Sequence, residues 1–141
     1  MIYTLYGQPA SGKTTLGKLL AEYLDSPFVI DGDEFRKMFT NKNYGRKGRE
    51  KNIRNANTVA TYLNKQGHHV VICLVNPYKQ LRRELNENNR NEVIEILLRS
   101  SRGLRREYHV EDFEDGDPDC IIRTDQKTED SWNYLKALLG I

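Results

Sequence analysis

The residues of this chain that could most directly do chemistry form a glycine-rich segment, Gly7–Thr14, with the spacing G-x-x-x-x-G-K-[ST]. In such a segment the backbone N–H groups turn inward and bind an anion at the positive end of the helix that follows. Lys13 can then reach the β- and γ-phosphates of a nucleotide, and the Thr14 hydroxyl can bind Mg²⁺. We therefore expect ATP and Mg²⁺ at this segment. The expected nucleotide contacts are Gly7, Gln8, Pro9, Ala10, Ser11, Gly12, Lys13, Thr14 and Thr15.

Two carboxylates, Asp31 and Asp33, follow the second β-prone run of the chain. Ligands of open α/β sheets bind beyond the carboxyl ends of the strands, so these side chains are expected beside the phosphate site. Either Asp31 or Asp33 could order Mg²⁺, and Asp33 could accept the proton of an attacking hydroxyl. The alternative is that Asp33 only caps the short helix predicted over Glu34–Phe39, since Asp is a common helix cap.

A predicted helix over Arg49–Gln66 carries two polar side chains close to its apolar stripe. At 100° per residue, Arg49 and Asn52 lie near the stripe that begins at Ile53, so they should face inward. Together with Arg36 they would line a pocket that binds an anionic group of a substrate. The alternative is a frayed first turn in which Arg49 is solvated.

The elements that must position these residues alternate between strands and helices. The β-prone runs are Ile2–Tyr6, Phe28–Ile30, His69–Val75, Val93–Leu98 and Cys120–Ile122. The longer helical patterns are Lys13–Leu24, Arg49–Gln66, a helix starting at Pro77 with Asn76 as its cap, and a last helix with the stripe Trp132–Leu139. Apolar strands separated by helices predict a parallel sheet of about five strands with helices on both faces, a three-layer α/β fold of the P-loop NTPase type.

Composition limits the kind of protein that this chain can be. Its 141 residues contain 22 Lys and Arg, 20 Asp and Glu, and 38% hydrophobic residues, which fits one domain over residues 1–141. A net charge of +2 with interspersed signs disfavours nucleic acid as a partner. The chain has no long apolar run and no signal-like start, so we expect a cytoplasmic protein without a membrane partner. Cys73 and Cys120 lie in apolar runs and are expected to be buried rather than paired or metal-bound.

Among proteins with such a phosphate-binding segment, motors and GTP switches are disfavoured. The third β-prone run ends in Asn76-Pro77 rather than in an Asp that holds Mg²⁺, and no N-K-x-D segment for guanine occurs. An ATP-dependent small-molecule kinase fits better. Two alternatives stay open: a kinase for another hydroxyl, such as a nucleoside, a nucleotide or a polynucleotide 5′-end, and a nucleotide-binding regulatory module without turnover.

Four segments together resemble the adenylylsulfate kinases in order and spacing: the phosphate-binding segment, Asp31–Arg36, Arg49–Arg54 and Asn76–Lys79. That family transfers the γ-phosphate of ATP to the ribose 3′-hydroxyl of adenosine 5′-phosphosulfate. The resemblance covers about residues 1–90 and, weakly, 118–125. It implies a P-loop kinase of sulfate assimilation with ATP and Mg²⁺ as cofactors, adenosine 5′-phosphosulfate as its nucleotide partner and the option of a homodimer.

The resemblance also implies roles for individual residues. Asp33 would act beside the transferred phosphoryl group, and Tyr44 falls where the family has a Phe that stacks on the substrate adenine. Arg36, Arg49 and Asn52 would hold the phosphosulfate and ribose. The implied substrate-binding residues are Asp33, Arg36, Tyr44, Arg49, Asn52, Val75 and Asn76.

The chain departs from the family pattern at single positions and in the lid. Gly48 stands where the family has Asp, Lys79 where it has Arg and Asn76 where it has Ser, which would suit a related but different ligand. The lid, about residues 99–119, is shortened or rebuilt.

Within the lid, Arg102 and Arg106 are candidates to close over ATP and to neutralise charge on the γ-phosphate, although a charged surface loop is an equal alternative. Either Tyr108 or Phe113 could supply the second aromatic ring of the substrate pocket.

Overall fold

The computed structural model describes residues 1–101 and 108–141. Within them the elements are, in chain order, β1 (Ile2–Tyr6), α1 (Lys13–Tyr23), β2 (Val29–Asp31), α2 (Gly32–Met38), α3 (Arg46–Lys65), β3 (Val70–Leu74), α4 (Lys79–Asn88), β4 (Val93–Arg99), β5 (Cys120–Arg123) and α5 (Thr128–Leu139). Within the described residues strand and helix alternate as predicted, apart from the two consecutive helices α2 and α3 and the two consecutive strands β4 and β5.

The strands form one parallel sheet in the order β2-β3-β1-β4-β5. At the carboxyl end of the central strand, Tyr6 lies opposite Leu74 of β3 and Leu97 of β4. Every residue of β1 and β3 is buried, which explains why these runs are apolar throughout instead of alternating. Because all strands are parallel, the loops that follow them meet at one edge of the sheet.

Helices cover both faces of the sheet and bury one core on each. On one face α1 and α5 pack through Leu16, Leu20 and Leu135. On the other face α3 and α4 pack through Ala60 and Leu85. The predicted three-layer α/β fold is confirmed.

Two helix starts differ from the sequence prediction. The helix expected from Pro77 begins at Lys79 with Tyr78 as its N-cap, because Asn76 adopts a left-handed φ of 47° and so cannot cap it. The helix expected from Arg49 begins at Arg46, and the Arg49 N–H already donates to the Gly45 carbonyl at 3.0 Å. Arg49 is therefore not in a frayed first turn.

Both cysteines are free and buried, as predicted. Burial raises the pKa of the Cys73 thiol to about 12. At Gly17 of α1, a Cβ would collide with Sγ of Cys73, so glycine is required where α1 crosses β3. No helix in the described part of the chain is both long and apolar enough to cross a bilayer.

Candidate active site

The phosphate loop connects β1 to α1, and the side chain of Lys13 is hydrogen-bonded to the loop itself. Gly12 takes a φ of 91° and is the N-cap of α1. At Gly7 a Cβ would lie 2.5 Å from the Leu98 carbonyl oxygen, so glycine permits β4 to pass close to the loop. The amino group of Lys13 donates to the carbonyls of Gly7 and Gln8, at 3.1 and 2.9 Å, and to the Ser11 hydroxyl at 3.2 Å. The cation thus lies within the loop, where phosphate oxygens would bind.

Asp31, at the end of β2, joins the phosphate loop to α2. The Thr14 hydroxyl donates to Oδ1 of Asp31 at 2.9 Å, and the Glu34 N–H donates to Oδ2 at 3.1 Å. Asp31 is therefore the N-cap of α2. The capping role considered for Asp33 belongs to Asp31, and Asp33 is exposed in the first turn of the helix.

Thr14 and Asp31 are a suitable pair of oxygen ligands for Mg²⁺. This cation is typically bound by one or two carboxylates, with phosphates and water completing its shell. In residues 1–101 and 108–141 no group of three or more His, Cys, Asp or Glu side chains could hold a metal by itself. The donor set fits a cation that takes its remaining ligands from a nucleotide.

A cavity of about 880 Å³ opens between the phosphate loop, α2, the start of α3 and the end of β3. Lys13, Thr14 and Asp31 line one side of it. The seven residues expected to bind the substrate, which are far apart in the sequence, all line it: Asp33, Arg36, Tyr44, Arg49, Asn52, Val75 and Asn76. One space therefore adjoins both the phosphate loop and the proposed acceptor side chains.

Arg36 shapes the outer wall of this cavity. Its guanidinium donates to the Asn43 carbonyl at 2.9 Å and lies over the Tyr44 ring, 4.2 Å from the ring centroid. Burial lowers the pKa of Arg36 below its ordinary value. Tyr44 itself is 66% exposed, so one face of its ring is available beside the cavity.

The first turns of α3 form the inner wall. Arg49 donates to the Tyr78 hydroxyl at 3.2 Å, and the amide nitrogen of Asn52 donates to the Gly32 carbonyl at 3.3 Å. At Gly48 a Cβ would collide with the Asn43 carbonyl. The loop before α3 crosses the helix at this point, which explains the glycine at the position where the resemblance implies an Asp.

The end of β3 is held by a buried arginine that the sequence analysis missed. Arg82 of α4 is 1% exposed and donates to the Asn76 carbonyl at 2.6 Å and to Oε1 of Glu95 at 3.2 Å. Its guanidinium also lies over the Tyr6 ring, 4.2 Å from the ring centroid. Spacing could have indicated this position, since Arg82 is three residues from the buried Leu85 and so shares its helix face.

The segment of residues 108–116 crosses the carboxyl edge of the sheet, and several of its backbone groups are hydrogen-bonded to the rest of the fold. The Gln8 side chain exchanges two hydrogen bonds of 2.8 Å with the backbone of Val110. The carbonyl of Glu114 accepts from Arg82, and that of Asp115 accepts from the Tyr6 hydroxyl at 2.6 Å. Gln8, expected as a nucleotide contact, therefore binds this segment with its side chain.

The two aromatic candidates of this segment lie at different cavities. Phe113 stacks on Tyr6, with ring centroids 6.2 Å apart, and lines a second cavity of about 280 Å³ behind the phosphate loop. Tyr108 lines the larger cavity, as Tyr44 does. The lid candidates Arg102 and Arg106 lie outside the described residues.

The chain is similar in sequence to known kinases. The model of the adenylylsulphate kinase family matches residues 1–112. The adenylyl-sulfate kinase of Myxococcus xanthus is 35% identical over 88 residues, 60% of this chain and 48% of that protein, so this chain spans about half of that relative's length. The cytidine diphosphoramidate kinase of Campylobacter jejuni is 30% identical over 115 residues, 73% of this chain and 68% of that protein.

A solved structure shows the same fold. The Mycobacterium tuberculosis APS kinase, in complex with AMPPNP and APS, superposes with a TM-score of 0.79 over 99% of this chain and 97% of that one, at 21% identity. With a family model that covers most of its length, this chain belongs to the adenylylsulphate kinase family of P-loop kinases.

Proposed function

We propose that this chain is a kinase that transfers the γ-phosphate of ATP to the ribose 3′-hydroxyl of a nucleotide. The observation that carries the proposal is the shared cavity of about 880 Å³, in which the phosphate loop and the acceptor-side residues face the same space. Family membership supports the reaction, and adenosine 5′-phosphosulfate is the first candidate acceptor.

The nucleotide would bind through the loop amides and Lys13. The lysine would exchange its bonds to the Gly7 and Gln8 carbonyls for bonds to the β- and γ-phosphates. Thr14 and Asp31 would hold Mg²⁺, which supplies positive charge to the phosphate oxygens.

Asp33 is the carboxylate left for the acceptor hydroxyl, because Asp31 is committed to Thr14 and to the cap of α2. Asp33 would accept the hydroxyl proton as the oxygen attacks the γ-phosphate in line. Arg36 and Arg49 would orient the anionic part of the acceptor, and the Tyr44 ring would stack on its base.

Cytidine diphosphoramidate is the second candidate acceptor. It is favoured by the Campylobacter jejuni relative, whose match extends over 115 residues, against 88 for the Myxococcus xanthus relative. A nucleoside, a polynucleotide 5′-end and a regulatory role without turnover remain weaker alternatives. A cytoplasmic location, a homodimer and the lid roles of Arg102 and Arg106 are further predictions.

The test is transfer from γ-labelled ATP with Mg²⁺ to a panel of acceptors. The panel contains adenosine 5′-phosphosulfate, cytidine diphosphoramidate, a nucleoside and a DNA 5′-end. We expect label on one or both of the first two. Label only on the nucleoside or the DNA would contradict the proposed acceptor class, and ATP binding without transfer to any of them would contradict the kinase proposal.

A further inference from the structure

The turn that follows β3, residues 75–77, joins the phosphate loop to the acceptor side of the larger cavity. The Val75 carbonyl accepts from the N–H of Gly7, the first residue of the phosphate loop, at 3.3 Å. The Pro77 carbonyl accepts from the Glu114 N–H at 2.9 Å. All three residues of the turn line the cavity, beside the residues expected to bind the acceptor. A shift of this turn would therefore change the distance between the acceptor and the donor nucleotide.

The middle residue of the turn, Asn76, has a backbone conformation that residues with a Cβ seldom adopt. Its φ is 47°, in the left-handed region, which Asn tolerates better than most residues but still at a cost. Its side-chain amide has no hydrogen-bond partner among the described residues. Its carbonyl, however, accepts from Nη1 of Arg82 at 2.6 Å. The bond from Arg82, rather than a bond of the asparagine side chain, therefore holds this conformation.

The guanidinium of Arg82 is itself fixed on several sides. It is 1% exposed, Nε donates to Oε1 of Glu95 at 3.2 Å, and Nη2 donates to the Glu114 carbonyl. It also lies over the ring of Tyr6, the residue directly before the phosphate loop, at 4.2 Å from the ring centroid. Because its N–H groups form a rigid planar fork, a lysine could not make the same set of contacts. Arg82 thus links the residue before the phosphate loop to Asn76 in the turn.

Arg82 lines neither of the two cavities, so it would touch neither ATP nor the acceptor. In-line transfer nevertheless depends on the alignment of the two reacting groups, and a small misplacement caused by a remote residue can slow a reaction greatly. We propose that Arg82 is a positioning residue for phosphoryl transfer, which aligns the acceptor with the γ-phosphate by holding Asn76 and Tyr6 in fixed positions relative to each other. The inference rests on the proposed kinase function and adds to it a residue that acts through others.

Steady-state transfer from γ-labelled ATP by Arg82→Lys tests the inference. The acceptor is adenosine 5′-phosphosulfate or cytidine diphosphoramidate, whichever accepts label from the parent protein. Lysine keeps a positive charge beside Glu95 but lacks the planar fork. We expect kcat per folded protein to fall at least about tenfold, with a smaller change in KM for ATP, because alignment rather than nucleotide binding is lost.

Leu85→Ala is the matched control for a loss of stability alone. Leu85 is buried one helical turn from Arg82, packs in the core between α4 and the sheet, and does not line the larger cavity. This variant should lower the thermal stability and leave kcat of the folded protein unchanged. A fall in kcat as large as that of Arg82→Lys would show that Arg82 is only structural, and would overturn the inference.

A glycine at position 76 tests whether Arg82 acts through the turn. Glycine adopts a positive φ about as readily as a negative one, so the turn should depend less on the bond from Arg82. In an Asn76→Gly background we expect Arg82→Lys to lower kcat about threefold or less, instead of at least about tenfold. An equal fall in both backgrounds would contradict the inference. Arg82→Gln combined with Glu95→Gln leaves neither buried charge unpaired and keeps the test decisive if Arg82→Lys does not fold.

The outcomes separate this inference from the proposed function. Label transfer by the parent protein with an unchanged kcat in folded Arg82→Lys would overturn the inference and leave the kinase proposal standing. No label on any acceptor from the parent protein, with ATP still bound, would overturn both.

Discussion

The two walls of the larger cavity differ in how they are held. The acceptor wall consists of α2 and the start of α3, and its contacts are made by side chains. Arg36 lies over the Tyr44 ring, and Arg49 donates to the Tyr78 hydroxyl. Where segment 108–116 borders the cavity, at Val110, it is held through its backbone by the Gln8 side chain. A wall built from interlocking side chains depends on residue identity, whereas one bound through its backbone can change sequence and keep its place. This difference predicts that the acceptor wall tolerates fewer substitutions than the backbone-bound position does.

The walls also differ in charge. Residues 36–54 contain eight Lys and Arg and one acidic residue, whereas residues 111–119 contain six acidic residues and no basic one. The acceptor wall therefore attracts anionic acceptors, whereas the acidic residues 111–119 lie outside the lining of the larger cavity. The following variants test this division, from the largest expected effect to the smallest.

Removing the cation of the phosphate loop should have the largest effect. Lys13→Ala deletes the amino group expected on the β- and γ-phosphates, so we expect kcat to fall about 10³-fold. The measurement is steady-state transfer from labelled ATP. Lys18→Ala, an exposed lysine of the same helix that does not line the cavity, is the control. Comparable turnover in Lys13→Ala would contradict the role of the phosphate loop.

Arg82 joins the end of β3 to segment 108–116, through the Asn76 and Glu114 carbonyls. Arg82→Met leaves Glu95 without its buried cation, and we expect the free energy of unfolding to fall by about 3 kcal/mol or more. Urea denaturation measures this, with the exposed Arg83→Met as the matched control. A decrease in the free energy of unfolding of less than about 1 kcal/mol would mean that the end of β3 and segment 108–116 keep their positions without Arg82.

Asp33→Asn tests the acceptor wall alone. Removing the base should lower kcat about 10²-fold while ATP binding and thermal stability stay close to those of the parent. The exposed neighbour Glu34→Gln, whose side chain does not line the cavity, should leave kcat unchanged. If Asp33→Asn instead loses stability and keeps its kcat, the residue is structural.

Gln8→Leu tests the wall bound through its backbone. The variant loses both hydrogen bonds to Val110, so we expect the free energy of unfolding to fall by about 1–3 kcal/mol. Displacement of Tyr108 should raise KM for the acceptor about tenfold, with a smaller change in KM for ATP. Gln80→Leu, exposed on α4, is the control. An unchanged acceptor KM in folded protein would show that the segment does not shape the acceptor site.

The smallest effect should follow from the ion pair that joins the two walls. Arg46 and Asp112 approach to 3.4 Å, and both side chains are about 60% exposed. Asp112→Asn should therefore change the free energy of unfolding only slightly, and even that change should vanish in high salt. Chemical denaturation at low and high salt measures it, and a larger, salt-resistant loss would contradict the surface character of this contact.

Sequence patterns predicted the parts of the site that depend on local spacing. The phosphate loop and the inward position of Asn52 follow from motif and helix period, and both agree with the structure. The cap at Asn76 was wrong, because the bond from Arg82 and the left-handed backbone override a locally good helix start. Gln8 acts on backbone 102 residues away, a contact that no local pattern encodes. The roles of these residues in catalysis stay predictions until the variants are measured.

Gly48 links the start of α3 to the course of the loop that precedes it. Asn43 crosses α3 where a Cβ would stand, and its neighbour Tyr44 is held by Arg36. An acidic residue at position 48 would displace Asn43, and the neighbouring Tyr44 ring would move away from the cavity. Position 48 and the preceding loop are therefore interdependent: a larger residue at this position would require a different path of the loop and, with it, a different acceptor pocket.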